Sequence, residues 1–212
     1  MRHQREHAVR RTTVTARTSG EPKDEKRNHF IGIAMNLICR YGVRKTTLED
    51  VAKAAGCAPT SLYYYFRNKE QLVREAVAEL FRETLQHVQI AVDAASNPEE
   101  QLVAAWRAQT LTAQQSGFAM SLDAATKSEL IPIARDILAD FEQRYAAIIE
   151  RILSRGASTK VFRVKDVKST AKVLSYGVSA LLFHMVGEAS PDEIAPLLQI
   201  LGNLMIYGLK AT

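Results

Sequence analysis

Three adjacent tyrosines, Tyr63, Tyr64 and Tyr65, follow Pro59, Thr60 and Ser61, and Arg67 and Lys69 come directly after them. Hydroxyls and phenols bond phosphate oxygens or base edges, and an aromatic ring or a Thr methyl can touch a thymine methyl. Upstream stand Arg44 and Lys45, cations that seek phosphate, and Thr47, a residue suited to open a helix whose first N–H groups face an anion. This is chemistry of recognition rather than of bond making. The rest of the chain offers no catalytic set. It has no G-x-G-x-x-G, P-loop or G-x-S-x-G motif, and none of its five His forms a Glu-x-x-His pair, so no cofactor and no metal are expected. Cys39 and Cys57 are too few for a disulfide framework or a cysteine zinc site.

The elements that must position these residues read as helices. Phe30, Ile33, Ala34, Leu37, Ile38 and Tyr41 keep the spacing of an amphipathic helix that begins near Lys23 and stops at Gly42. Thr47 with Asp50 three residues on forms a capping box for a second helix, which Gly56 ends after about two turns. Pro59 suits the first position of a third helix reaching Tyr65 or Phe66, and Asn68 with Gln71 caps a fourth. In the third helix Leu62 and Phe66, four apart, share the inward face. Three successive residues span about 200° of a helix, so the tyrosines cannot all point into one core. Packing aromatics remain the plain alternative for some of them. At about 12 Å, the third helix is long enough to enter a major groove. Two short capped helices joined by a tight turn, with a helix across them, are the layout of a helix-turn-helix unit.

The remainder predicts helix after helix: residues 69–95, 98–116, 117–130, 132–155, 166–187 and 191–209, with 160–164 as linker. No hairpin signal or sustained alternation argues for a sheet. The expected fold is therefore all-α, of about nine helices: a disordered basic arm over 1–22, a three-helix helix-turn-helix domain over 23–68, and a larger helical domain over 69–212. The 212-residue length accommodates this.

Charge agrees with a polyanion at one end. Residues 1–80 hold 15 Lys and Arg against 9 Asp and Glu, while the remainder carries a balance of −1 within a net charge of +5. A solubilising tail is the bland reading of the arm. The uncharged stretches 173–187 and 194–209 are shorter than the ~20 residues of a membrane span, and no apolar segment follows Met1, so a cytoplasmic protein away from membranes is expected.

The stretch TLEDVAKAAGCAPTSLYYYFRNKEQL, residues 47–72, preceded by Tyr41-Gly42 and the paired Thr46 and Thr47, resembles the DNA-binding signature of TetR-family transcriptional regulators. The resemblance is close over about residues 24–75 and rests beyond that on length and helical order. It implies a homodimer joined through the last two helices, a double-stranded DNA operator of pseudo-palindromic form, and a small, largely apolar effector in the middle helices, with repression the usual outcome. By position, it implies phosphate contacts from Thr47, Tyr63 and Lys69, base contact from Tyr64, and Tyr65 near phosphate. Departures stand at Ala58, where the family often has a capping Ser, and at Pro59 and Thr60, which replace a frequent basic residue and Gly. The expected DNA-binding set is Arg44, Lys45, Thr47, Pro59, Thr60, Ser61, Tyr63, Tyr64, Tyr65 and Lys69. For the effector the lining candidates are Trp106, Gln109, Phe118, Met120, Asp123, Phe141, Tyr145, Tyr176 and His184, most of which also fit plain core positions. The rival readings are a small all-helical enzyme and a polyanion-binding interaction module, each with an incidental helix-turn-helix.

Overall fold

The computed structural model describes residues 22–116, 124–185 and 191–210. The chain is all-α. Its described helices are α1 (Pro22–Lys45), α2 (Leu48–Ala54), α3 (Pro59–Tyr65), α4 (Lys69–Ala94), α5 (Pro98–Gln115), α6 (Ala124–Ser158), α7 (Val167–Met185) and α8 (Pro191–Leu209). No described helix is long and apolar enough to cross a membrane.

Helix starts follow the side chains that can cap them. The Thr47 hydroxyl accepts the Asp50 N–H at 3.1 Å, and the Asp50 carboxylate accepts the Thr47 N–H at 3.0 Å, so both halves of the expected box are made. Asn68 and Asn97 accept from the N–H groups of Gln71 and Glu100. In these two caps the returning side chain reaches one residue further back than a capping box requires: Gln71 accepts from the Arg67 N–H and Glu100 from the Ser96 N–H. Ala58 supplies no side-chain cap to α3, as its methyl must, and Pro59 at the first turn wastes no donor.

Two expectations are corrected. Gly42 does adopt the left-handed region (φ +83°), where the sequence places the end of α1, but a further turn to Lys45 follows it. A Cβ at Gly42 would lie 2.9 Å from the Thr126 hydroxyl, so the position also needs the missing side chain for the approach of α6. Secondly, the helix expected to end at residue 130 and the one expected to start at Pro132 are a single helix, α6, with Pro132 inside it. Pro132 is exposed, whereas Leu130 and Ala134 on either side are buried against Ile38, Val43, Val73 and Val77. That burial holds the helix through a residue that offers it no N–H. The expected linker over 160–164 runs beside the end of α8, with the Arg163 N–H donating to the Leu209 carbonyl at 2.7 Å.

Three apolar clusters lie along α4. Leu72 and Ala76 join Phe30, Ala34, Leu48, Val51, Leu62 and Phe66 in the core of the first three helices. Val73 and Val77 join the cluster that α1 shares with α6. Leu85, Val88 and Val92 enter the main core with residues of α5, α6, α7 and α8. One helix thus threads all three.

Candidate functional site

α3 rests on two buried side chains. Leu62 and Phe66 are fully inaccessible among the residues of α1, α2 and α4, and the Arg27 guanidinium covers the Phe66 ring at 5.5 Å from its centroid. The turn before α3 is made at Gly56, whose φ of +67° lies in the region glycine tolerates best. With the inward side anchored, Pro59, Thr60, Ser61, Tyr63 and Tyr64 all face outward.

The tyrosine run divides as the helical arc requires. Tyr64 is 69% exposed. Tyr63 is half exposed, and its hydroxyl donates to the Glu49 carboxylate on α2 at 2.9 Å. That bond raises the Tyr63 phenol above its usual range, while the Glu49 carboxyl is held below its own by a backbone hydrogen bond and then by Tyr63. Tyr65 turns partly inward, its ring edge-on to Phe30 at 5.4 Å and to Tyr64 at 5.1 Å. Glu49 has no place in the sequence-derived set. Its role depends on the crossing of α2 over α3, which spacing along one helix does not reveal.

Cations surround this surface. Arg44 and Lys45 are exposed at the end of α1, and Arg44 pairs with Glu129 of α6 at 3.2 Å. The Lys69 ammonium donates to the Arg44 carbonyl at 3.1 Å and so ties the start of α4 to the end of α1. Thr47 is exposed, and its hydroxyl also donates to Asp50 at 2.7 Å. All ten expected DNA-facing residues lie in the segment from the end of α1 to the start of α4; eight of them are exposed, and Tyr65 and Lys69 are partly so. Chemically the arrangement offers hydroxyl, phenol and cationic donors around a projecting helix, with no group in it poised as nucleophile.

The expected effector residues are scattered. Phe141 and Tyr145 stack inside the main core with Phe81, and burial pushes the Tyr145 phenol far above its usual range. The Tyr145 hydroxyl has no hydrogen-bond partner. Gln109 is buried and donates to Ser179 of α7 at 3.1 Å, leaving its own carbonyl oxygen unpartnered. Tyr176 is half exposed on the outer side of α7. Trp106 lines a cavity of about 290 Å³ between α5, α7 and α8. Phe118, Met120, Asp123 and the His184 side chain lie outside the described residues, as does nearly all of the basic arm.

A second surface is set by α7 and α8. Val173 and Tyr176 on α7, and Leu197, Ile200, Leu204 and Tyr207 on α8, are all exposed, Tyr207 by 75%. Large apolar side chains gathered in this way mark an interaction surface more often than scattered ones do.

Comparison with known proteins agrees with this geometry. Residues 31–76 match the family described as bacterial regulatory proteins, tetR family. Over 77 residues the chain is 31% identical to the HTH-type transcriptional repressor KstR2 of Mycolicibacterium smegmatis, a match covering 36% of this chain and 38% of that protein. Over 60 residues it is 35% identical to the HTH-type transcriptional regulator AcrR of Shigella flexneri, covering 28% of each. The match thus spans less than two fifths of either relative's length. The fatty acid degradation regulator FadR of Bacillus halodurans superposes with a TM-score of 0.73 at 18% identity, covering 89% of this chain and 97% of that one. FadR of Bacillus subtilis, solved in complex with stearoyl-CoA, gives 0.67 at 20% identity, covering 85% and 98%.

Proposed function

We propose, for a chain whose residues 31–76 match the tetR family of bacterial regulatory proteins, that it acts as a ligand-responsive transcriptional repressor, binding a pseudo-palindromic DNA operator as a dimer. The observation that carries this reading is α3 itself: a short helix pinned by Leu62 and Phe66, with Tyr63 and Tyr64 turned outward and Arg44, Lys45 and Lys69 nearby. In this reading residues 23–68 with the first turns of α4 form the DNA-reading head, and the remaining helices form the effector-binding and dimerising body. Thr60, Ser61 and Tyr64 meet base edges; Thr47, Tyr63, Tyr65 and the flanking cations meet phosphate.

The exposed faces of α7 and α8 join two copies, burying Tyr176, Leu204 and Tyr207 against their equivalents. The dimer places two recognition helices about 34–36 Å apart, one turn of duplex. An effector held by the body acts through α4, because that helix is embedded in the cores of both body and head. A ligand releases DNA only if it binds the low-affinity spacing better, and 1.4 kcal/mol of such preference is about tenfold in affinity. The likeness of fold to FadR of Bacillus subtilis, solved with stearoyl-CoA, supports a body that houses a ligand.

The test is a selection of duplexes from a random library with the purified chain, followed by titration of the selected and a scrambled duplex at several salt concentrations. A selected palindrome bound well above the scrambled duplex is expected. Equal affinity for both, with a steep salt dependence, leaves only non-specific polyanion binding and removes the reading.

A further inference from the structure

The cavity between α5, α7 and α8 differs in character from the core beside it. Its apolar wall is made by Val103, Trp106, Leu111, Val178 and Ile206. Its polar groups are Arg107, Thr110, Gln114, Gln199 and Asn203. Among the described residues that line it, Arg107 is the one charged side chain and no carboxylate stands with it. Among the described residues the exposed Arg107 has neither an ion-pair nor a hydrogen-bond partner, whereas the half-buried Arg74 and the exposed Arg82 both have them. Trp106, only 7% exposed, has an indole N–H with no acceptor. A buried donor without a partner is costly, and a ligand oxygen is one means of satisfying it. Gly202 on α8 faces Trp106 directly: a Cβ there would sit 3.4 Å from the indole ring, so any larger side chain would grow into this space.

We infer that this cleft binds a compact organic carboxylate, its apolar body against Trp106 and Val178 and its carboxylate on the Arg107 guanidinium. Charge decides the head group. The described lining offers the Arg107 guanidinium, the amides of Gln114, Gln199 and Asn203 and no carboxylate, whereas the adjoining groove that Arg107 also borders holds Glu99 and Glu100 and suits an anion less; the planar fork of Arg matches a carboxylate in two hydrogen bonds. Volume decides the size. About 290 Å³ is at the small end of ligand sites, suited to a body of roughly ten heavy atoms. The cleft opens beside the exposed face of α8, where Gln199 and Asn203 neighbour Ile200 and Tyr207 on the helix surface. The inference deepens the ligand-responsive reading and rests on it only for the effect on DNA.

Trp106 is the single tryptophan of the chain, so its emission reports on this cleft alone. The intact chain is titrated with octanoate, 1-octanol and octylamine while that emission is followed. A saturable change is expected with octanoate, with 1-octanol about tenfold weaker and octylamine weaker still. R107Q should bind octanoate no better than 1-octanol while keeping the 1-octanol affinity of the parent, which shows the cleft intact. Gly202→Leu should lose both. No saturable change with octanoate, or equal binding of octanoate and 1-octanol by the parent, or an R107Q variant that keeps the preference, would each overturn the inference. Binding of the ligand-free chain to its selected duplex is measured separately. Duplex binding without an octanoate response leaves the regulator and removes this site; an octanoate response without duplex binding does the reverse.

Discussion

Tyr63, Tyr64 and Tyr65 are consecutive in sequence and meet three different surroundings: a carboxylate, open solvent and an aromatic core. Helical arc alone establishes that they must diverge. It does not say which one turns inward, because that depends on where Phe30 of α1 lies. Replacing Tyr64 with Ala should weaken cognate duplex by about 1–3 kcal/mol and relax base preference, as read by competition with single-base variants of the selected site. If cognate and scrambled duplexes weaken equally, Tyr64 reads no base. Lys69→Ala should lower affinity for all duplexes alike and flatten the salt slope. Because Lys69 also donates to the Arg44 carbonyl, a small drop in the thermal midpoint should accompany that loss. The carboxyl of Asp50 is held below its ordinary range, first by the Thr47 hydroxyl and then by the Thr47 N–H, and Asp136 is lowered chiefly by Arg74. Depressed carboxyls stabilise the fold above their unfolded pKa of about 4 and lose that contribution as pH falls through the lower native values. Thermal midpoints should therefore be flat from pH 7 to about 5 and fall below about 4, with a shallower fall in Asp50→Asn.

At the scale of elements, the caps at Thr47, Asn68 and Asn97 and the starts at Pro59 and Pro191 were legible because each is a local matter of one side chain and the N–H groups beside it. The extent of α6 was not. A proline reads as a helix start, and only burial of Leu130 and Ala134 against α1 and α4 carries the helix across it. The two left-handed glycines separate strain from crowding. Gly56→Ala meets open space and should cost only the left-handed backbone, about 1–2 kcal/mol. Gly42→Ala adds a 2.9 Å approach to the Thr126 hydroxyl and should destabilise more. Denaturant midpoints of the two variants check the order; a Gly56 variant as damaged as the Gly42 one would show that α6 does not crowd Gly42.

For the whole molecule, charge asymmetry and two apolar final helices pointed to a polyanion at one end and burial at the other. The apolar stripe of α8 was visible in sequence, but which residues lie outermost was fixed by the side that α8 turns to Trp106 and the core. Leu204→Arg should convert the chain to a monomer in sedimentation and weaken selected duplex more than tenfold, while leaving helicity unchanged; a variant that stays dimeric would place the interface elsewhere. The proposed effector cleft was the least legible. Trp106 lines the cleft, but Phe141 and Tyr145 are packed core, and Arg107 gave no signal because an arginine in a helix looks the same whether or not it borders a cavity.

The placement of Pro132 has one more effect. Having no N–H, it cannot close a bond to the Ser128 carbonyl, so the long rod of α6 lacks one backbone tie there. Before that point Glu129 pairs with Arg44 and Leu130 packs on Ile38 and Val43; just beyond it Ala134 packs in the same cluster, and further on Phe141 and Tyr145 are fixed in the body. The packing on α1 and α4 therefore spans the missing backbone bond, so that side-chain burial rather than an N–H group ties this turn of the rod together.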